Sequence, residues 1–188
     1  MTSDMSDRRA LRAMLLARRA QLPGRAAADA RIERALDTLL ERLAVHCVGF
    51  YWPIQQEFDA RAVVARWLQG MPGRQAALPV VSAPATPLDF HLWTPDTPMR
   101  TGRYGIPVPD GTDAAAPDAL IIPCVGFSAD KFRLGYGGGF YDRTLAVYPA
   151  RARRPLAIGI GFEACRIPLR AGAHDLPMDW IVTEAGCF

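Results

Sequence analysis

The segment RLGYGGGFYDR, residues 133–143, places Gly135, Gly137, Gly138 and Gly139 between an apolar run and a stretch that reads as a helix from Phe140. Glycines in such a place let backbone N–H groups close around phosphate oxygens, and the helix N-terminus adds the positive end of its dipole. No Gly-Lys-Ser/Thr follows, and Phe140 stands where a GxGxxG pattern needs its third glycine. The segment is therefore neither a Walker A loop nor a dinucleotide fingerprint. Two readings stay open, a nucleotide site of another type and a plain glycine turn joining strand to helix. Arg133, Asp142 and Arg143 favour the first, because they suit phosphate with a divalent cation. Asp142 falls in the first helical turn, where its carboxylate can hold Mg²⁺ against phosphates or simply complement the dipole.

Other residues carry weaker signals. Glu57 and Asp175 sit where the strand-rich face could present them, yet acids in such loops also serve as caps. Arg8 and Arg12, at i and i+4, can both reach one anion, or form a solvated helix face. Tyr51, Trp52, Tyr136, Phe140 and Tyr141 could frame a flat heteroaromatic ligand or pack in the core. His46, His91 and His174 show no metal-ligand spacing and are assigned structural roles. There is no GxSxG elbow and no Cys-His motif, so covalent hydrolase chemistry lacks its signature.

These residues need elements to hold them. Leu11, Met14, Leu15 and Leu22 recur at helical spacing, with Arg8, Arg12 and Arg19 on another stripe. Pro23 and Gly24 break that helix, and a second helix ends near Arg42, which predicts an antiparallel hairpin over residues 8–43. Strands are expected at 45–52, 76–81, 88–93, 119–127, 156–161 and 180–183, with helices at 60–69 and 140–148. Outside the 88–93 strand, residues 82–117 are rich in Pro, Gly, Thr and Asp and predict long ordered loops. Apolar strands separated by helices point to an α/β fold, three layers around a largely parallel sheet, in one domain over residues 1–188.

Composition agrees. The 188 residues are 50% hydrophobic and 22% charged, which excludes disorder and coiled coil and allows a sizeable core. A net charge of +3 does not make nucleic acid the default partner. Lys131 is the single lysine, so arginine recognition of anions is better supplied than amine nucleophilicity. Cys47, Cys124, Cys165 and Cys187 form no CxxC pair and read as free thiols of a cytoplasmic protein. Asp4 and Asp7 argue against a secretory or transit segment, and no apolar run is long enough to span a bilayer.

RRALR, FYWPIQQEFD, LPVV, GRYGIPVP, PCVGFSADKFRLGYGGGFYDR and HDLPMDWIVTE run in order along essentially the whole chain. Together they resemble the 5-formyltetrahydrofolate cyclo-ligases, also called 5,10-methenyltetrahydrofolate synthetases. The resemblance implies an ATP- and Mg²⁺-dependent conversion of 5-formyltetrahydrofolate, possibly polyglutamylated, to 5,10-methenyltetrahydrofolate, with ADP and phosphate released. It places Arg8, Arg12, Arg133, Leu134, Gly135, Tyr136, Gly137, Gly138, Gly139, Phe140 and Tyr141 on ATP. It places Trp52, Glu57, Tyr136, Gly137, Gly138, Gly139 and Phe140 on folate, and Asp142 and Asp175 on Mg²⁺. Arg133, Tyr141 and Arg143 are the expected catalytic residues, and a monomer that engages neither nucleic acid nor membrane is expected. Many family members carry lysine at the Arg8 position, and glycine is frequent where Lys131 and Phe132 stand. Two other classes remain on the residues alone: a nucleotide-binding module without turnover, and an RNA-binding protein using the first-helix arginines with Arg151, Arg153 and Arg154.

Overall fold

The computed structural model describes residues 2–147, 154–170, 172 and 175–188. Tyr148, Arg151, Arg153 and His174, invoked above, lie outside them. Five short strands, β1 (Cys47–Gly49), β2 (Gln75–Val80), β6 (Ala119–Pro123), β9 (Leu156–Ile160) and β10 (Trp180–Thr183), form the parallel centre of a seven-stranded sheet. Antiparallel edges are added by β3 (Asp89–Trp93) beside β2 and β11 (Gly186–Cys187) beside β10. The order is β11-β10-β9-β6-β1-β2-β3.

Apolar strand residues alternate between two cores, as a period of two requires. Ala119 and Ile121 face α2 (Arg25–Arg42) and α3 (Arg61–Gly70), while Leu120 and Ile122 face α4 (Phe140–Val147). Helices thus cover both faces and give the expected three layers. The start of β1 is pinned by Asp118, whose Oδ2 accepts the backbone N–H groups of His46 and Cys47, both at 2.9 Å.

Four expectations need correction. First, α1 (Thr2–Ala20) and α2 do not pair along their lengths as a hairpin. Leu15 of α1 is buried with Val125, Leu134 and Cys165, whereas α2 packs on α3 and β10. Gly24, at φ +66°, starts α2 from a left-handed residue and turns the chain toward a different surface. Second, the run 119–127 is not one strand. After Pro123 and a last ladder bond from Cys124 N–H to the Ile160 carbonyl, the chain leaves the sheet, and β7 (Gly126–Phe127) pairs with β8 (Arg133–Leu134). The first two residues of the expected glycine loop are therefore strand, and the loop proper is Gly135 to Gly139. Third, residues 82–117 hold more than loops around β3: β4 (Met99–Thr101) and β5 (Pro107–Pro109) make a hairpin around a 3-10 turn. The strand expected over 45–52 is also cut to Cys47–Gly49, since Pro53 cannot donate to a ladder and restricts the residue before it.

Candidate active site

In this sheet the chain runs from β1 to β2 on one side and from β6 to β9 and β10 on the other. β1 and β6 are neighbours, so the strand order reverses between them, and open α/β sheets bind ligands outside the carboxyl ends at that point. A cavity of about 460 Å³ opens there, walled by Tyr51 and Trp52 after β1, Pro79 and Val81 around the end of β2, and Pro123 at the end of β6. Every site residue expected from the sequence lies on its wall except Arg143.

One half of the cavity is cationic and glycine-rich. Gly137 and Gly139 sit at φ +97° and +63°, conformations that side chains resist. Arg12 Nε donates to the Gly135 carbonyl at 2.8 Å, and a Cβ on Gly137 would lie 3.3 Å from Arg12 Cζ. Burial and the neighbouring Arg8 both lower the Arg12 guanidinium from its usual range. Arg133, whose side chain is only 6% exposed, pairs with Asp142 at 2.7 Å. Its buried Nε has no hydrogen-bond partner among the described residues. Arg8 pairs with Asp175 at 3.0 Å and donates to the Arg170 carbonyl. Burial raises the Asp175 carboxyl, but the Gly172 N–H and Arg8 outweigh it and hold it below the usual range.

Arg143, the third expected catalytic residue, lies just behind the wall, where its guanidinium donates to the Gly138 carbonyl and lies 5.3 Å from the centre of the Phe140 ring. Tyr141 is half-buried on the wall, and desolvation pushes its phenol well up, so the hydroxyl keeps its proton. Among the described residues no group of three His, Cys, Asp or Glu side chains could cage a metal. Asp142 and Asp175 fit Mg²⁺ in its common manner, in which one or two carboxylates share the ion with phosphates and water.

The other half is apolar and aromatic, with Ile54, Leu88, Ile106 and Val108 beside Trp52. Arg61 stacks on Trp52, its Cζ 4.4 Å from the ring centre. Glu57, 6% exposed, accepts the Tyr136 hydroxyl at Oε1 (2.7 Å) and the Ile54 N–H at Oε2 (2.9 Å). Desolvation raises its carboxyl, opposed by those two donors and by Arg19. Arg19 is itself buried, and Arg8, Arg12 and Arg19 of α1 take their partners in and behind the cavity wall. Arg154 of the second basic cluster is paired with Asp179.

The profile of the 5-formyltetrahydrofolate cyclo-ligase family matches residues 4–184. This chain belongs to that family. It is 30% identical to the Haemophilus influenzae 5-formyltetrahydrofolate cyclo-ligase over 155 residues, covering 78% of this chain and 79% of that one. To the Escherichia coli K12 cyclo-ligase it is 29% identical over 148 residues, 74% and 79% of the two chains. The solved 5,10-methenyltetrahydrofolate synthetase of Mycoplasma pneumoniae superimposes with a TM-score of 0.74 at 25% identity, over 95% of this chain and 99% of that one. The Aquifex aeolicus synthetase shares the fold, with a TM-score of 0.75 at 24% identity over 96% and 91%. The cavity wall also holds residues that sequence reasoning left unassigned. Arg103 and Tyr104 reach it from the β4–β5 hairpin, Tyr104 at φ +65° and 6.2 Å from the Phe140 ring. The block GRYGIPVP was the available signal for them. Arg19 was legible only as one cation in a stripe.

Proposed function

We propose that this chain converts 5-formyltetrahydrofolate to 5,10-methenyltetrahydrofolate with ATP and Mg²⁺, releasing ADP and phosphate. The observation that carries the reading is the two-sided cavity at the β1/β6 switch point. One side suits a flat, donor-bearing heteroaromatic ring beside a buried carboxylate, and the other suits a polyphosphate. The formyl oxygen attacks the γ-phosphorus and ADP leaves, which gives an N5-iminium phosphate. N10 then attacks the formyl carbon and loses its proton, and the C–O bond breaks to release phosphate with the former formyl oxygen. Both nucleophiles belong to the substrate, so the protein needs no reactive side chain. That agrees with Cys47 and Cys124, whose buried thiols are pushed up to about 11 and about 12.

The chain's part is positioning and charge. Arg12, Arg133 and the loop N–H groups take the phosphates, and Arg8 closes the same end. Asp142 and Asp175 would hold Mg²⁺, which supplies neutralisation of phosphate charge when bound. Glu57, Trp52 and Tyr136 orient the folate ring. The enzyme is proposed to act as a monomer in the cytoplasm; the described cysteines are free thiols and no described helix is long and apolar enough to cross a membrane.

The deciding measurement follows the near-ultraviolet band of the methenyl product in mixtures of protein, 5-formyltetrahydrofolate, ATP and Mg²⁺. Growth that requires both ATP and Mg²⁺ is expected. No growth with ATP still bound would overturn the reading in favour of a nucleotide-binding module.

A further inference from the structure

Arg19 is 2% exposed and does not line the cavity, yet it touches both loops that do. Its Nη2 donates to the Tyr136 hydroxyl at 2.6 Å and to the Gln55 carbonyl at 2.9 Å. The Tyr136 hydroxyl in turn donates to Glu57 Oε1, so cation, phenol and carboxylate form one directed chain. Gln55 and Gln56, two residues before Glu57, are consecutive left-handed non-glycine residues at φ +45° and +61°. Such a turn is unfavourable unless its surroundings hold it, and the Arg19 bond to the Gln55 carbonyl is one such hold.

The other groups around Glu57 supply no compensating cation. Tyr51, leaving β1, and Cys124, after β6, are buried and Tyr141 of α4 is half-buried; each feels the Glu57 charge and is pushed toward its neutral form by desolvation. Arg25 of α2 donates to the Glu57 carbonyl at 3.0 Å, but its Nε is taken up by both carboxylate oxygens of Asp29. Ile54 offers only a neutral N–H. A buried carboxylate facing phenols, a thiol and one amide would take up a proton as desolvation raises its pKa.

We propose that Arg19 is a positioning residue that keeps Glu57 ionised and aimed into the cavity, acting through the Tyr136 hydroxyl and the Gln55 carbonyl. Its kinetic consequence rests on the cyclo-ligase reading; its electrostatic consequence does not. Glu57 as an anion accepts donors of a bound ring at both oxygens, whereas a protonated Glu57 presents a donor of its own and repels them. Arg19 thereby sets the lower pH limit of ring binding from a position that never meets the ligand.

The test reads Glu57 directly. Glutamate is labelled with ¹³C at the side-chain carboxyl, and the chain's five glutamates, Glu33, Glu41, Glu57, Glu163 and Glu184, are titrated by NMR. Glu57→Gln assigns the signal. In Arg19→Met the Glu57 midpoint is expected to rise, with at least as large a rise in Tyr136→Phe, which removes the donor itself, and partial return in Arg19→Lys. The other four midpoints should stay in place. In turnover, Arg19→Met should raise KM for 5-formyltetrahydrofolate about tenfold at pH 7 and leave KM for ATP within about twofold. The acid limb of kcat/KM should move up with the NMR midpoint. An unmoved Glu57 midpoint in folded Arg19→Met overturns the proposal. If that variant does not fold, an unmoved midpoint in Tyr136→Phe does the same, and equal rises in both KM values would reduce Arg19 to packing. A wild-type chain without turnover would defeat the cyclo-ligase reading alone, since the titration still judges Arg19.

Discussion

At Glu57 two demands oppose each other. Burial raises its carboxyl above the ordinary range, and the Ile54 N–H, Tyr136 and Arg19 oppose that rise without cancelling it. A carboxyl raised in the folded state stabilises the fold below its unfolded pKa, and that contribution is lost as pH climbs through the folded value. Glu57→Gln removes this loss, so its melting temperature should gain on the wild type as pH rises above the ordinary glutamate range of about 4, by scanning calorimetry. The same variant gives up a charge-assisted acceptor, and KM for the folate substrate should rise on the order of tenfold or more. A variant with no gain in stability toward neutral pH would contradict the assigned sign. Asp142→Asn keeps an acceptor for Arg133 but removes half the metal-holding charge. The Mg²⁺ concentration for half-maximal rate should rise at least about tenfold while the protein remains folded by circular dichroism. An unchanged magnesium dependence would remove Asp142 from the metal site.

At the scale of elements, the glycine loop matters because it is clamped from two sides. Arg12 holds the Gly135 carbonyl from α1, and Arg143 holds the Gly138 carbonyl from α4. Gly137 lies between these clamps at φ +97°, with the Arg12 guanidinium against the space where a Cβ would be. Gly137→Ala therefore meets both an unfavourable backbone and a cation that must shift. A cost of about 1–2 kcal/mol is expected, confined to a surface loop. Isothermal titration should show ATP affinity falling roughly tenfold, with the folate KM changed less. Equal losses for both ligands would mean that the loop collapses as a whole. Helix α1 explains why such local changes reach far: one helix carries Arg8 and Arg12 on the cavity wall and Arg19 against the Tyr136 and Gln55 loops behind it.

Across the whole molecule, the cavity joins pieces distant in sequence. α1, the exits of β1, β2 and β6, the β4–β5 hairpin, the glycine loop and Asp175 all contribute to its wall. A ligand that bridges them must stabilise the folded chain by mass action, about 2.7 kcal/mol at one hundred times Kd. For a chain of this length each kcal/mol raises Tm by roughly 2–4 °C. Saturating MgATP should thus raise the melting midpoint by roughly 5–10 °C in a thermal-shift assay, and less with Asp142→Asn. An unshifted midpoint at saturating MgATP would argue against phosphate binding in the cavity.

The sequence by itself determined the sheet class, because apolar runs such as ALIIP can only be buried on both faces. It also determined the local half of the site, since glycines followed at once by Phe140, Tyr141 and Asp142 are held together by a single turn of chain. Arg19 was different. Helical spacing placed it on a cationic stripe, and nothing in that stripe told a solvated guanidinium from one buried against Tyr136, which lies 117 residues away. The hairpin expected of α1 and α2 failed for the same reason: amphipathicity says that a face will be covered, not which surface covers it. Arg143, next to the loop in sequence, turns behind the wall to the Gly138 carbonyl, while Arg19, far from it, is buried against Tyr136. Side-chain direction and burial are fixed by neighbours that the chain acquires only when β1 and β6 come side by side.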